Sequence, residues 1–140
     1  MMKQNIRRIA NAVAPWCQQR PVSLCVLFGS QVTGQTHPHS DVDLAVWPTQ
    51  TLSVAARLEW IVELETRLNQ DVSLVIVSPD LDPVLQFEIA RQGYLLFEAQ
   101  IGLWDEKRLQ LWYAYNDSLP FRRAARQRLH EFAMGVRDAA

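Results

Sequence analysis

Two short apolar runs bracket the stretch that most constrains this chain. Val22-Ser-Leu-Cys-Val-Leu-Phe28 ends at Gly29-Ser30, and ten residues later Asp41-Val42-Asp43 opens a second run, Leu44-Ala-Val-Trp47, stopped by Pro48. Apolar runs of this length, rich in β-branched and aromatic residues, predict buried strands. Between them, residues 33–40 (Thr-Gly-Gln-Thr-His-Pro-His-Ser) carry the glycine, proline and small polar residues of a loop. Any fold for this chain must therefore set a glycine turn at the end of one strand and an acidic pair at the start of another.

That combination has a chemistry. Asp41 and Asp43 stand two apart on a predicted strand, so their carboxylates project from one face with Cα atoms about 7 Å apart. At that spacing both side chains can converge on one or two cations. Hard oxygen ligands suit Mg²⁺, which binds one or two carboxylates and completes its shell with water and substrate phosphates. Gly29 has no side chain where the strand turns, so backbone N–H groups can approach a phosphate closely. Ser30 adds a hydroxyl, and a helix starting there would favour the same anion. A phosphate cradle beside paired carboxylates fits phosphoryl or nucleotidyl transfer, which is mostly positioning and charge neutralisation. Each piece alone is weak: Gly-Ser is often a plain turn, and Asp-x-Asp a solvated strand end. A Walker-A loop is excluded, because no Gly-Lys-Ser/Thr follows Gly29 or Gly34.

The remaining periodicities supply the frame. A first helix is predicted over 3–19, with Ile6, Ile9, Ala10, Val13 and Trp16 at helical spacing and Pro15 as a potential kink. A second runs from about Ser53 to Asn69, with Val54, Leu58, Ile61, Leu64 and Leu68 on one stripe. Asp71–Val77 reads as a third strand. Asp82 as N-cap, Pro83 at the first helical position and Gly93 past the end bracket a short helix. Tyr94–Phe97 is a fourth, short strand. From Leu103 the pattern is helical in two segments that part near residues 116–120, the second placing Phe121, Ala125, Leu129, Phe132 and Val136 on one face, of which Leu129, Phe132 and Val136 are expected to pack on the domain. Strands separated by helices make this an α/β or α+β domain with a helical tail.

At 140 residues, 49% of them hydrophobic, the chain suits one domain that folds without disulfide or metal. A net charge of −1 provides no whole-molecule field toward nucleic acid or an anionic membrane. No apolar run near the start is long enough for a membrane span or a signal peptide. Cys17 and Cys25 form no disulfide framework and read as buried thiols in a reducing cytosol, so a cytoplasmic protein is expected. His37 and His39 read as solvent-facing loop residues. Arg122, Arg123, Arg126 and Arg128 read as a solvated or partner-facing surface rather than a nucleic-acid site. Trp104, Trp112, Tyr113 and Tyr115 exceed what one buried stripe holds, which points to a protein-binding face beside the core.

Gly29-Ser30, the ten residues Gln31 to Ser40, and Asp41-Val42-Asp43 together resemble the signature of the nucleotidyltransferase superfold shared with DNA polymerase β. The pattern is most similar to the minimal nucleotidyltransferase (MNT) family, the antitoxin half of HEPN/MNT toxin–antitoxin pairs. Ala90-Arg-Gln-Gly-Tyr-Leu-Leu-Phe97 is similar to that family's closing helix–Gly–strand segment, so the likeness covers about the first hundred residues. The resemblance implies a small mixed sheet flanked by helices with a C-terminal helical hairpin, divided as a core over 1–100 and a helical extension over 101–140 packed on the same domain.

It further implies an antitoxin that transfers AMP from Mg·ATP to a tyrosine of a HEPN ribonuclease, working as a hetero-oligomer with that toxin. In that scheme Asp41 and Asp43 are catalytic and hold Mg²⁺, while Gly29 and Ser30 hold the phosphates. Many relatives carry a third carboxylate on the next strand, where this chain has Ser73; Asp71, two residues earlier on the same strand face, is either a third metal ligand, a general base, or merely the start of the strand. Two alternatives stand beside this reading. One is a non-catalytic antitoxin that acts by stoichiometric binding; the other is a nucleotidyltransferase of a small molecule, disfavoured by the absence of a separate substrate domain.

Overall fold

Strand β1 (Val22–Phe28) lies inside a four-stranded sheet of order β3-β2-β1-β4, in which it pairs antiparallel with both β2 (Val42–Pro48) and β4 (Tyr94–Glu98). Strand β3 (Val72–Ile76) joins the other side of β2 in parallel, so the sheet is mixed. The helices are α1 (Met2–Gln18), α2 (Ser30–Thr33), α3 (Val54–Leu68), α4 (Pro83–Gln92), α5 (Leu103–Asp117) and α6 (Leu119–Ala139). This computed structural model describes residues 2–34 and 41–139; His37 and His39 lie outside the described residues.

Alternation along the strands gives the sheet two apolar faces, each with its own layer of helices. Cys25, Leu27, Leu44, Val46, Val72 and Leu74 pack with Ile9, Val13 and Trp16 of α1 and Trp60, Leu64 and Leu68 of α3. Leu24, Val26, Phe28, Ala45 and Trp47 lie under Ile89 and Ala90 of α4 and Trp104 and Leu111 of α5. Asp43 belongs by parity to the second series, at the open end of the sheet where β2 begins.

Helix α4 starts and stops as the sequence indicates: the Asp82 carboxylate accepts the Val84 N–H at 2.8 Å, and Pro83 follows at the first position. Gly93 ends the helix for a steric reason. Its φ of −58° is open to any residue, but a β-carbon there would press on the Ile89 carbonyl and lie 2.7 Å from both Trp104 Cζ2 and Val26 Cγ1. The missing side chain lets α4, β1 and α5 meet.

Two expectations are corrected. On α3 the buried residues are Trp60, Leu64 and Leu68, with Ile61 partly buried, whereas Val54 and Leu58 are 78% and 59% exposed. Trp60 wins the inward position because its ring meets Trp16 edge-on at 5.2 Å, and that large contact rotates the stripe. On α6, Phe121, Leu129 and Phe132 are 76%, 69% and 71% exposed and do not pack on the domain, and the Val136 side chain is outside the described residues. Helix α6 follows α5 after the single residue Ser118 and carries its apolar face away from the sheet.

Candidate active site

The sheet register assembles the site. Phe28, the residue before Gly29, is opposite Asp43, and Asp43 is opposite Ser73 on the parallel strand. Asp71 precedes β3 and accepts the Val42 N–H at its backbone carbonyl (2.9 Å), which pins the two strand starts together. Asp41 and Asp71 are both exposed, and Asp43 is half-buried. Among the described residues, no three histidine, cysteine, aspartate or glutamate side chains gather as a metal-binding group.

Gly29 adopts φ 79° and ψ −154°, a region essentially reserved for glycine. A β-carbon built on it would collide with Asp43 Oδ2 and lie 3.0 Å from Asp43 Cγ. The turn after β1 is thus stripped of its side chain so that the Asp43 carboxylate can lie against the backbone. Ser30 then opens α2, whose first N–H groups have no intrahelical acceptor. Gly34 closes this short helix in the left-handed conformation, its N–H donating to the Ser30 carbonyl at 3.0 Å.

Three polar residues that the sequence reading passed over complete the arrangement. Gln31, only 2% exposed, donates through Nε2 to the Asp41 carbonyl at 3.3 Å and accepts at Oε1 from Asn5 of α1. It fixes the backbone of the first aspartate. Gln92, at the end of α4, accepts the Gly29 N–H at Oε1 (3.3 Å). One helical turn earlier, Glu88 turns its charge toward Asp43. The available signal was the i, i+4 pair Glu88 and Gln92 just before Gly93, a polar flank on a helix whose other side is core.

The electrostatics are those of an uncompensated acidic site. The Asp43 pKa is raised, first by burial, then by repulsion from Asp41 and Glu88, with a hydrogen bond from Ser73 pulling it partly back. Among the described residues no lysine or arginine forms an ion pair with either aspartate; the ion pair found there joins Arg20 to Glu63 on a different surface. Two hard-oxygen carboxylates on one strand face, one half-buried and repelled by its neighbours, fit a divalent cation that would neutralise them.

The basic tail residue Arg122 is occupied internally. Its guanidinium lies 3.9 Å from the Tyr115 ring centroid and donates to Ser118 Oγ (2.9 Å), Tyr115 Oη (3.2 Å) and the Tyr115 carbonyl (3.1 Å). It clamps the α5–α6 junction, while Arg123, Arg126 and Arg128 are exposed.

A mixed sheet with a glycine turn against paired aspartates defines a nucleotidyltransferase, and residues 11–101 match the family described as "Polymerase beta, Nucleotidyltransferase". The chain belongs to that family. Among curated proteins it is similar to the protein adenylyltransferase MntA of Shewanella oneidensis, 37% identical over 79 residues that span 56% of this chain and 56% of that relative. Among solved structures it resembles a chain of a toxin–antitoxin complex with AMP-PNP, with a TM-score of 0.70 at 27% identity over 89% of this chain and 98% of that one. It also resembles a chain of a tri-AMPylated Shewanella oneidensis HEPN toxin in complex with an MNT antitoxin, with a TM-score of 0.66 at 26% identity over 93% and 99% of the two chains. A third likeness, with a TM-score of 0.74 at 25% identity over 86% and 98%, is to a mutant MntA toxin–antitoxin complex in which two aspartates two positions apart are changed to glutamate. No helix among the described residues is long and apolar enough to cross a membrane.

Proposed function

We propose that this protein is an antitoxin that neutralises a cognate HEPN-domain ribonuclease by transferring AMP from Mg·ATP to a tyrosine hydroxyl of that toxin. The observation that carries the reading is the Asp41–Asp43 pair set against Gly29, in a chain whose structural relatives include complexes with AMP-PNP and with an AMPylated toxin. Asp41 and Asp43 would hold Mg²⁺. When bound, the ion neutralises phosphate charge and lowers the pKa of the attacking hydroxyl.

The chain's own residues do the positioning. Gly29 and Ser30 hold the outgoing phosphates at the turn that opens α2. Gln31 fixes the backbone of Asp41, and Gln92 holds the Gly29 turn from α4. The acceptor oxygen forms a bond to the α-phosphorus, the bond to pyrophosphate breaks, and the hydroxyl proton is released. Residues 1–100 form the catalytic core and residues 101–140 an extension of the same domain. The protein acts in the cytoplasm, where ATP is available and where the buried, unbridged thiols Cys17 and Cys25 stay reduced. Its partners are ATP and the toxin, bound as a hetero-oligomer, with no direct contact to nucleic acid or membrane.

One observation favours a second reading. Ser73 faces Asp43 across the parallel pair and supplies no carboxylate there, as suits an antitoxin that only binds. Incubating the purified protein and its toxin with ATP labelled at the α-phosphate separates the two. Transfer puts label on the toxin and releases pyrophosphate, whereas neutralisation without label supports binding alone.

A further inference from the structure

Helix α4 carries polar side chains on two flanks. Gln92 and Glu88 turn toward Gly29 and Asp43, while Arg91 lies on the side where α5 packs, beside an open groove of about 370 Å³. Ala90, Arg91, Asp105, Arg108, Leu109 and Trp112 line it. That volume is at the small end for a ligand pocket and suits one nucleotide unit.

The lining offers one partner for each part of a nucleotide. Trp112 is 44% exposed, unlike Trp16, Trp47, Trp60 and Trp104, all at 9% or less, and its outer face is open to stack a base. Arg91 makes no hydrogen bond among the described residues, its guanidinium lying 6.0 Å from the Phe87 ring centroid. Arg108 uses Nε on the Ala90 carbonyl at 2.7 Å, leaving its terminal nitrogens without partners among the described residues. Each guanidinium offers a fork of donors that suits a phosphate. Asp105 forms no ion pair with either arginine among the described residues, and its carboxylate is an acceptor that ribose hydroxyls can use.

We propose that this α4–α5 groove binds an adenylate unit, holding AMP already attached to the acceptor while the end of the chain reacts at Asp41 and Asp43. The proposal rests on the adenylyltransferase reading above, and on a structural relative whose toxin is tri-AMPylated, so that more than one AMP unit is carried by that toxin; it takes those units to be joined end to end. In each later round a ribose hydroxyl at the chain end attacks the α-phosphorus of a new ATP. The bond to pyrophosphate breaks, and the hydroxyl proton leaves to solvent. The groove, at Ala90 and Arg91, and the carboxylate pair, faced by Glu88 and Gln92, thus lie on neighbouring flanks of one helix, within reach of linked nucleotides.

The test has a binding arm and a transfer arm. Quenching of the single exposed tryptophan, Trp112, is followed on adding AMP or the 5′-phosphorylated dinucleotide of adenosine, with calorimetry for variants lacking it. The dinucleotide should quench and bind at least about tenfold more tightly than AMP. Arg91→Gln and Trp112→Ala should each weaken that binding by about tenfold, and Asp43→Asn should leave quenching of Trp112 intact. With toxin and ATP, Arg91→Gln should add the first AMP at the wild-type rate and fail at later additions.

Absence of quenching overturns the proposal. So does equal affinity for AMP and dinucleotide with an unchanged AMP ladder, which marks a site for free nucleotide. Loss of toxin affinity in Arg91→Gln without nucleotide binding marks a protein-docking surface instead. If the wild type adds no AMP at all, the adenylyltransferase reading fails, and the binding arm still decides the groove.

Discussion

Gly29 and Asp43 share a space that admits only one side chain. Gly29→Ala must relieve a collision with the Asp43 carboxylate and adopt a φ of 79° that alanine disfavours. We expect a loss of about 1–3 kcal/mol on urea denaturation, with transfer lost because Asp43 is displaced. Asp43 itself carries a pH signature. Its raised pKa means that, as pH falls, the native state of the metal-free protein takes up this proton before the unfolded chain does. Its contribution to stability therefore grows as pH falls through the raised value and levels off below the ordinary aspartate range. In chelator the stability of the wild type relative to Asp43→Asn should rise as pH falls, on thermal melts of both, since the opposite contribution of Glu63, held low by Arg20, is common to the two; at neutral pH Asp43→Asn should be at least as stable. Adding Mg²⁺ at neutral pH should raise Tm for the wild type only, since binding to the native state stabilises it by mass action.

At the scale of elements, the parts legible in sequence were those whose causes are local. Apolar runs ended by Gly-Ser and opened by Asp-x-Asp marked β1 and β2, and Asp82, Pro83 and Gly93 bracketed α4. Sheet order and register come from pairing between distant segments, so the reach of Gln31 to the Asp41 carbonyl left no local trace, and the polar flank of Glu88 and Gln92 did not say which strand end it faces. The α3 stripe was misplaced for a related reason: helical spacing admits more than one face, and the contact of Trp60 with Trp16 chooses between them. The difference is measurable. Leu64→Ala, at a fully buried position, should cost about 2–5 kcal/mol. Leu58→Ala, at 59% exposure, should stay within about 0.5 kcal/mol in the same denaturation assay.

The whole molecule divides its surfaces between chemistry and contact. The carboxylate pair sits at the open end of the sheet, while α6 presents Phe121, Leu129 and Phe132 to solvent beside exposed Arg123 and Arg126. Aromatics and arginine are the types enriched at interface anchors. Leu129→Ser combined with Phe132→Ser should leave Tm almost unchanged, since neither residue is packed, and should weaken toxin binding without altering ATP affinity. Calorimetric titrations with each ligand would show the split.

The central proposal, that this protein acts by covalent transfer of AMP to a HEPN toxin through Asp41 and Asp43, is tested most directly by the intact mass of the proposed toxin produced together with it. With the wild-type protein the toxin mass should rise by one or more AMP units, and with Asp41→Asn or Asp43→Asn it should not, although both variants fold and still bind the toxin. A toxin that is silenced at unchanged mass, or one that gains AMP equally beside either aspartate variant, would contradict the account.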